Sequence, residues 1–326
     1  MKAVQIEKTG SLDDVVVRDV PEAPLGNGEV RVAVHAAGVN PSDVAIVMGK
    51  FPQLRLPRVL GRDFAGRVVE GPPEWKGADV WGSGGSELGL LRDGAHAESV
   101  TVPLSALARR PAQLSAESAA AAGVPFVTAW SALVDLAGIR DGEWVVVSGA
   151  AGAVGSAAVQ IASALGASVV ALVRESDDVS ELEGLGVAAI ARSERNELAE
   201  TVSRLTNGKG ADVALNGVGA PVFMQLFEAL GKDGRMTVYS AAAGRDAQLD
   251  LFALYRKRLT LHGLDTAAIG LAAIGAILSK VSAYFESGRL RAPRVDSTYP
   301  LERAQEAYRR VSDGRPGKAV LVNERR

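Results

Sequence analysis

The stretch Val145-Val-Val-Ser-Gly-Ala-Ala-Gly-Ala-Val-Gly-Ser-Ala-Ala-Val-Gln-Ile-Ala-Ser-Ala-Leu-Gly-Ala-Ser-Val-Val-Ala-Leu-Val173 decides the fold of this chain. It reads as a buried strand (Val145 to Val147), a glycine-rich turn holding Gly149, Gly152 and Gly155, a small-residue helix and a second apolar strand (Val169 to Val173). A strand–turn–helix–strand unit of roughly thirty residues is the size that a dinucleotide-binding fold requires. Gly152 leaves the backbone free to approach a pyrophosphate, and Gly155 lets the helix pack closely on the strand. The N–H groups and positive dipole end of that helix then face the phosphates. Ala150 stands where the usual first glycine would be, so the motif is a variant. On the helix, Val154, Ala158, Ile161 and Leu165 fall at helical spacing as the sheet-facing stripe, and Gly166 is a natural stop.

Working outward, alternation of helix and strand continues on the C-terminal side. A helix is expected from about Glu194 to Leu205, a strand from Ala211 to Leu215 and a helix opened by Pro221. Strands Arg235 to Tyr239 and Leu259 to Leu264 follow. Apolar strands alternating with helices predict a parallel sheet covered on both faces, over about 119–262. Upstream, Ser115 suits the cap of a helix over Ala116 to Ala122, and Val127 to Ala137 reads as a second helix closed by Gly138. Residues 1–118 are mostly short β-branched runs separated by Pro- and Gly-rich turns, the pattern of a barrel-like or multi-sheet domain. The tail, 263–326, holds one Ala/Ile/Leu-rich helix, a short helix and a last strand, Ala319 to Val322, and is expected to return to the first domain.

Composition narrows the chemistry. With 36 Lys and Arg against 38 Asp and Glu the formal charge is −2, and no long run of either sign argues for nucleic acid or an anionic membrane. The start is an alternating strand and not a signal peptide, and the nearest apolar run of interest, Ala267 to Leu278, is too short to span a bilayer. A cytoplasmic protein is expected. The chain has no cysteine, which excludes disulfides, thiolate catalysis and every cysteine zinc site. Its three histidines, His35, His96 and His262, are scattered and read as surface residues, so no metal site is expected.

Ala37-Gly-Val-Asn-Pro-Ser-Asp43, Leu60-Gly-Arg-Asp-Phe-Ala-Gly-Arg-Val68, Gly94-Ala-His-Ala-Glu98, the glycine turn and Gly317-Lys-Ala-Val-Leu321 occur in one order and spacing along nearly the whole chain. On these residues the chain resembles the medium-chain dehydrogenase/reductase superfamily, and within it the zinc-free quinone oxidoreductase (zeta-crystallin-like) branch. The resemblance implies an α/β fold: a GroES-like, β-barrel-type catalytic domain (1–118 and 263–326) and a Rossmann domain with a doubly wound parallel sheet (119–262), with the active site in the cleft between them. Zinc alcohol dehydrogenases carry a cysteine where this chain has Asn40 and a His-Glu pair where it has Arg62-Asp63. Both metal positions are lost, in agreement with the cysteine count.

By the same resemblance Asn40 and Thr128 are the expected catalytic positions, beside the nicotinamide. The expected cofactor-binding set is Asn40, Thr128, Ala150, Ala151, Gly152, Ala153, Val154, Gly155, Arg174, Asn216, Val218, Ser240, Leu264 and Lys318. Asn-Pro-Ser-Asp is also ordinary turn and capping chemistry, and Asp43 is read as a cap. Lys318 reads equally as a cofactor neighbour or a surface residue. Phe51 stands where many enoyl and quinone reductases have a tyrosine, so no phenol is available there. The second strand ends on Val173-Arg174 where NAD enzymes place an acid, which favours the 2′-phosphate of NADP; Asp177 and Asp178 speak against it.

The expected function is therefore zinc-independent, NADPH-dependent hydride transfer to quinones or other activated carbonyl or alkene acceptors. An enoyl or alkenal reductase, or an NADPH-binding protein with little turnover, are the alternatives. A homodimer through the edge of the Rossmann sheet, at Leu259 to Leu264, is expected from the same resemblance.

Overall fold

The Trp144–Ser148 strand, its turn and the Ala153–Ala164 helix lie at the centre of a six-stranded sheet in the protein's structure, a computed structural model that describes residues 1–323. The chain divides into two units, residues 1–127 with 266–323, and residues 128–265.

In the second unit the strands run in the order Ala189–Arg192, Ser168–Val173, Trp144–Ser148, Ala211–Asn216, Leu230–Val238, Thr260–Gly263, and every neighbouring pair is parallel. Counted along the chain this is the order 3-2-1-4-5-6, the doubly wound arrangement of a Rossmann fold. The middle strands are apolar throughout because helices cover both faces: Val145, Val146, Val147, Ala214 and Leu215 are fully buried. Leu172, Val202, Leu226, Phe227 and Met236 complete that core. Strand order reverses between Trp144–Ser148 and Ala211–Asn216, so the loops at their carboxyl ends diverge to opposite faces and leave a crevice. At one edge, Thr260–Gly263 pairs on one side only, and the preceding Leu251–Lys257 helix exposes Leu251, Phe252 and Tyr255.

In the first unit an eleven-residue strand, Glu29–Val39, is the backbone of a seven-stranded sheet. It pairs antiparallel with Asp63–Glu70, with Ser99–Pro103 and, at its end, with the C-terminal strand Lys318–Val322. That last register sets Ala319 opposite Val39 and so brings Lys318 beside Asn40. A smaller sheet joins Val16–Asp19, Lys2–Ile6 and Arg58–Val59. The α/β class, the GroES-like first domain and the Rossmann sheet agree with the sequence reading.

Several local expectations are corrected. The two helices expected at Ala116 to Ala122 and Val127 to Ala137 are one, Ala116–Trp130, continued by a π-turn at Ser131–Leu136. Pro125 sits inside it and has no N–H to donate, and the N–H of Val124 leaves the helix for a carboxylate described below. Taken with its π-turn, this helix (Ala116–Leu136) is long and apolar enough to cross a membrane, contrary to the reading that placed the nearest such run at Ala267 to Leu278. Its residues are mostly buried in the fold, which accounts for the apolarity. The Ala189–Arg192 strand, the Val295–Pro300 strand and the Leu251–Lys257 helix were not anticipated. Each is short and largely polar or half-exposed, so it lacks an apolar period.

Candidate active site

The glycine turn is shaped by close backbone contact. Gly149 adopts φ +60°, and Gly152 caps the Ala153–Ala164 helix in an extended conformation while its N–H donates to Gly149 O at 2.9 Å. A Cβ on Gly155 would stand 2.2 Å from Gly149 O, so only glycine lets the helix start this near the strand. A Cβ on Gly152 would meet a single atom, Gly149 O at 3.2 Å, and otherwise point into open space before the helix N-terminus. That is the shape a phosphate needs, because first-turn N–H groups of a helix have no partner within it. Ala150, Ala151, Ala153 and Val154 lie on this turn and helix start. The residues present fit a dinucleotide.

Across the strand-order reversal, Asn216 ends its strand fully buried. Its Oδ1 accepts from the N–H groups of Val218 (3.1 Å) and Gly219 (2.8 Å), and its Nδ2 donates to Gly219 O (3.1 Å). Its amide therefore shapes the 216–219 loop. The Gly217 N–H donates to Ser148 Oγ at 3.1 Å, tying that loop to the strand before the glycine turn. Ser240 and Leu264 follow the ends of the next two strands, so they share the carboxyl edge with the turn and the loop. Thr128 is buried in the Ala116–Trp130 helix. Tyr239, which the sequence reading passed over, lies beside Gly217, and burial holds its phenol well above the usual tyrosine range.

Arg174 follows the Ser168–Val173 strand, as expected, but its guanidinium is engaged. It donates to Asp177 Oδ1 from Nε (3.0 Å) and Nη2 (2.7 Å), while its backbone N–H donates to Asp177 Oδ2 (2.8 Å). The hydrogen bond to Asp177 raises the Arg174 pKa; on Asp177, hydrogen bonds and charge from Arg174 outweigh burial and lower it. Arg192 caps the same loop, donating to Arg174 O at 2.6 Å, and Arg195 pairs with Glu175. The basic residues at this strand end are thus three, interleaved with acids, and Arg192 and Arg195 were not singled out from the sequence.

The first unit holds a second constellation, built from residues far apart in the chain. Asp63 is fully buried and accepts from Asn40 Nδ2 (2.8 Å), from Ser83 Oγ (2.6 Å) and, through both oxygens, from the Val124 N–H (2.9 Å each). That last bond is the helix N–H released next to Pro125, and Gly123 is required there because its Cβ would lie 2.3 Å from Asp63 Oδ1. Asn40 Oδ1 accepts a hydrogen bond from Lys318 Nζ. Lys318 is 6% exposed, which removes the surface reading of this residue. Burial lowers the Lys318 pKa, against the opposing charges of Asp63 and Asp43. Arg62 is buried too, donating to Gly85 O (3.1 Å) and Ser42 Oγ (3.3 Å).

Asp43 takes the capping position: its Oδ2 accepts from the Asn40 N–H at 2.8 Å, at the start of the Pro41–Val47 helix. Its Oδ1 has no partner, and burial pushes the carboxyl up to about 7 against the nearby Arg62 charge. His96 is corrected from surface to core. It is fully buried between Tyr308 Oη (2.9 Å from Nδ1) and Gly38 O (3.1 Å from Nε2). A carbonyl only accepts, so Nε2 carries the proton and Nδ1 accepts from Tyr308. Burial lowers its pKa to about 4, so the ring is neutral. His35 and His262 are half-buried. Among the described residues no group of three or more His, Cys, Asp or Glu is arranged to hold a metal. Phe51 packs on the first unit's core.

Known proteins agree with this architecture. Residues 26–112 match the alcohol dehydrogenase GroES-like domain family, and residues 153–274 match the zinc-binding dehydrogenase family. The chain is 33% identical over 330 residues to a zinc-type alcohol dehydrogenase-like protein of Schizosaccharomyces pombe, covering 99% of this chain and 97% of the other. It is 30% identical over 307 residues to a quinone oxidoreductase-like protein 2 homolog of Nematostella vectensis, covering 92% and 82%. A solved NAD-dependent alcohol dehydrogenase superposes with a TM-score of 0.88 at 32% identity, covering 99% of this chain and 100% of that one. A mycobacterial protein solved in complex with NADPH superposes with a TM-score of 0.83 at 25% identity, over 99% and 100%.

Proposed function

Because the chain is an oxidoreductase of the medium-chain dehydrogenase/reductase superfamily with a nicotinamide cofactor, we propose that it reduces quinones, or similarly activated carbonyls and alkenes, with NADPH and without zinc. One observation carries the reading. The positions that hold metal ligands in zinc alcohol dehydrogenases are here Asn40, Arg62 and Asp63; Asn40 is hydrogen-bonded to both Asp63 and Lys318, and the buried Arg62 donates to Gly85 O and Ser42 Oγ. An amide, a guanidinium and a carboxylate whose lone pairs are already taken make a poor zinc site. The stretch matched to the zinc-binding dehydrogenase family holds one histidine and no cysteine.

When bound, the nicotinamide supplies a hydride. The chain's own residues do the rest. The 149–155 turn receives the phosphates, with the 216–219 loop, Ser240 and Leu264 along the same edge. By the family resemblance, Asn40 and Thr128 would position the reacting partners; both are buried. With no Lewis acid to polarise a plain ketone, the acceptor must be activated already. Arg174, with Arg192 and Arg195 near it, supports NADPH: a 2′-phosphate would replace Asp177 as the anion facing the guanidinium.

We assign a homodimer joined at the Thr260–Gly263 edge, where Leu251, Phe252 and Tyr255 are exposed beside a strand that, among the described residues, pairs on one side only. We also assign the work to the cytoplasm; among the described residues, the one helix of spanning length, Ala116–Leu136, is mostly buried in the fold. The test is NADPH oxidation by a panel of quinones and enones, repeated with NADH, on protein assayed for metal. Quinone turnover by metal-free protein is expected. Stoichiometric zinc whose removal abolishes turnover, or no turnover of any acceptor, overturns the reading.

A further inference from the structure

We propose that Lys318 supplies the positive charge and the proton for the oxyanion formed on the acceptor, in the place a metal occupies in zinc relatives. This rests on the reductase reading above. A buried ammonium is expensive to keep unless a carboxylate pairs with it. Among the described residues Lys318 forms no ion pair; its one acceptor is the neutral Asn40 Oδ1. An ammonium has three N–H donors, so two remain unspent.

Asp63 acts on Lys318 only through space: its charge favours the ammonium, while its oxygens accept from Asn40, Ser83 and Val124 and not from Lys318. The amide of Asn40 is fixed from both ends, its Oδ1 by Lys318 and one Nδ2 hydrogen by Asp63. The remaining Nδ2 hydrogen and the two remaining ammonium hydrogens are unspent donors on two side chains bonded to each other, the kind of group that binds an oxyanion. Protonation of Asp43 would leave the buried set of Arg62, Lys318, Asp63 and Asp43 one positive charge in excess.

The step balances. The acceptor gains a hydride, two electrons and one hydrogen, while the reduced nicotinamide is oxidised. The oxyanion left on the acceptor takes a proton from Lys318 Nζ, an O–H bond forming as an N–H bond breaks. Solvent reprotonates the amine, so each turnover consumes one NADPH, one proton and one acceptor.

The test compares Lys318→Met and Lys318→Arg with the wild type. Turnover with the best quinone or enone of the panel, NADPH affinity by fluorescence, and the Nζ signal in 15N lysine NMR are measured. The expected result is a loss in kcat of about 100-fold or more for Lys318→Met with NADPH affinity within about threefold, and recovery of less than about a tenth of wild-type turnover by Lys318→Arg, which keeps the charge but does not release a proton. A protonated, slowly exchanging Nζ in the wild-type protein supports the same conclusion without any variant. Lys318→Met with kcat within about threefold of wild type, or a neutral Nζ at pH 7 in wild type, overturns the assignment. If Lys318→Met does not fold, the Nζ signal decides, and Lys318→Arg with turnover within about threefold of wild type overturns the proton role. Wild-type protein inactive on every acceptor defeats the reductase reading itself, which is a different result from an active wild type with an equally active variant.

Discussion

The glycine turn of the second unit and the buried lattice of the first are built by opposite means. The turn works by what is missing. Gly149, Gly152 and Gly155 clear side-chain atoms from the backbone so that N–H groups and a helix end can face an anion. All of it lies within a few residues of chain. The lattice works by what is present. Asn40, Asp63, Ser83, Val124 and Lys318 come from segments up to 278 residues apart, and each polar atom is held by another. A local device tolerates changes elsewhere in the fold, whereas a lattice transmits the loss of one member to the rest.

The comparison can be broken most sharply at Asp63. Asp63→Ala removes the acceptor of three groups at once, leaving Asn40 Nδ2, Ser83 Oγ and the Val124 N–H buried without it, which should destabilise the protein by about 3–5 kcal/mol. Chemical denaturation measures it; a loss under about 1 kcal/mol would mean the lattice holds little together.

The pH dependence of stability sharpens the picture of the first unit. With its pKa raised to about 7, Asp43 keeps a proton in the native chain between pH 4 and 7 where the unfolded chain has released it. Stability from this group therefore falls as pH rises through that window, by up to about 1.4 kcal/mol per pH unit. His96, lowered to about 4, does the reverse: from pH 4 to 6.5 the unfolded chain binds a proton that the native chain does not, and stability rises with pH. In wild type the two slopes oppose each other below pH 6.5. Asp43→Asn should leave a clear rise in stability between pH 4 and 6.5, seen as denaturation midpoints at stepped pH. A profile parallel to that of wild type would count against the buried, protonated Asp43.

In the turn, Gly155→Val places a branched side chain on the carbonyl of Gly149 and should cost about 1–3 kcal/mol in stability, with loss of NADPH binding. Nucleotide titration and thermal melts report the two effects, and unchanged affinity would remove the turn from the phosphate site. The smallest effect belongs to Arg174→Ala, expected to weaken NADPH binding by about three- to tenfold and to leave NADH nearly unchanged, since the guanidinium is exposed and already paired. Equal loss for both cofactors would take Arg174 out of the choice between them.

Legibility followed the same division. The Trp144–Ser148 strand, the turn and the Ala153–Ala164 helix could be read directly, because their signal is the spacing of glycines and apolar residues along one stretch. The Ala116–Trp130 helix was split at Pro125, since nothing local announces that Asp63, 61 residues away, takes the freed Val124 N–H. His96 looked like a surface residue because its partners are a carbonyl at position 38 and a phenol at 308.

By itself, the sequence determined that a nucleotide-binding βαβ unit is present and that no thiolate can hold a metal, because both follow from residue identity and short-range spacing. Only the tertiary structure decided what Lys318 is. The register that pairs Ala319 with Val39 carries its ammonium into the interior against Asn40, and strand register between distant segments is fixed by packing across the sheet and leaves no mark on the local sequence.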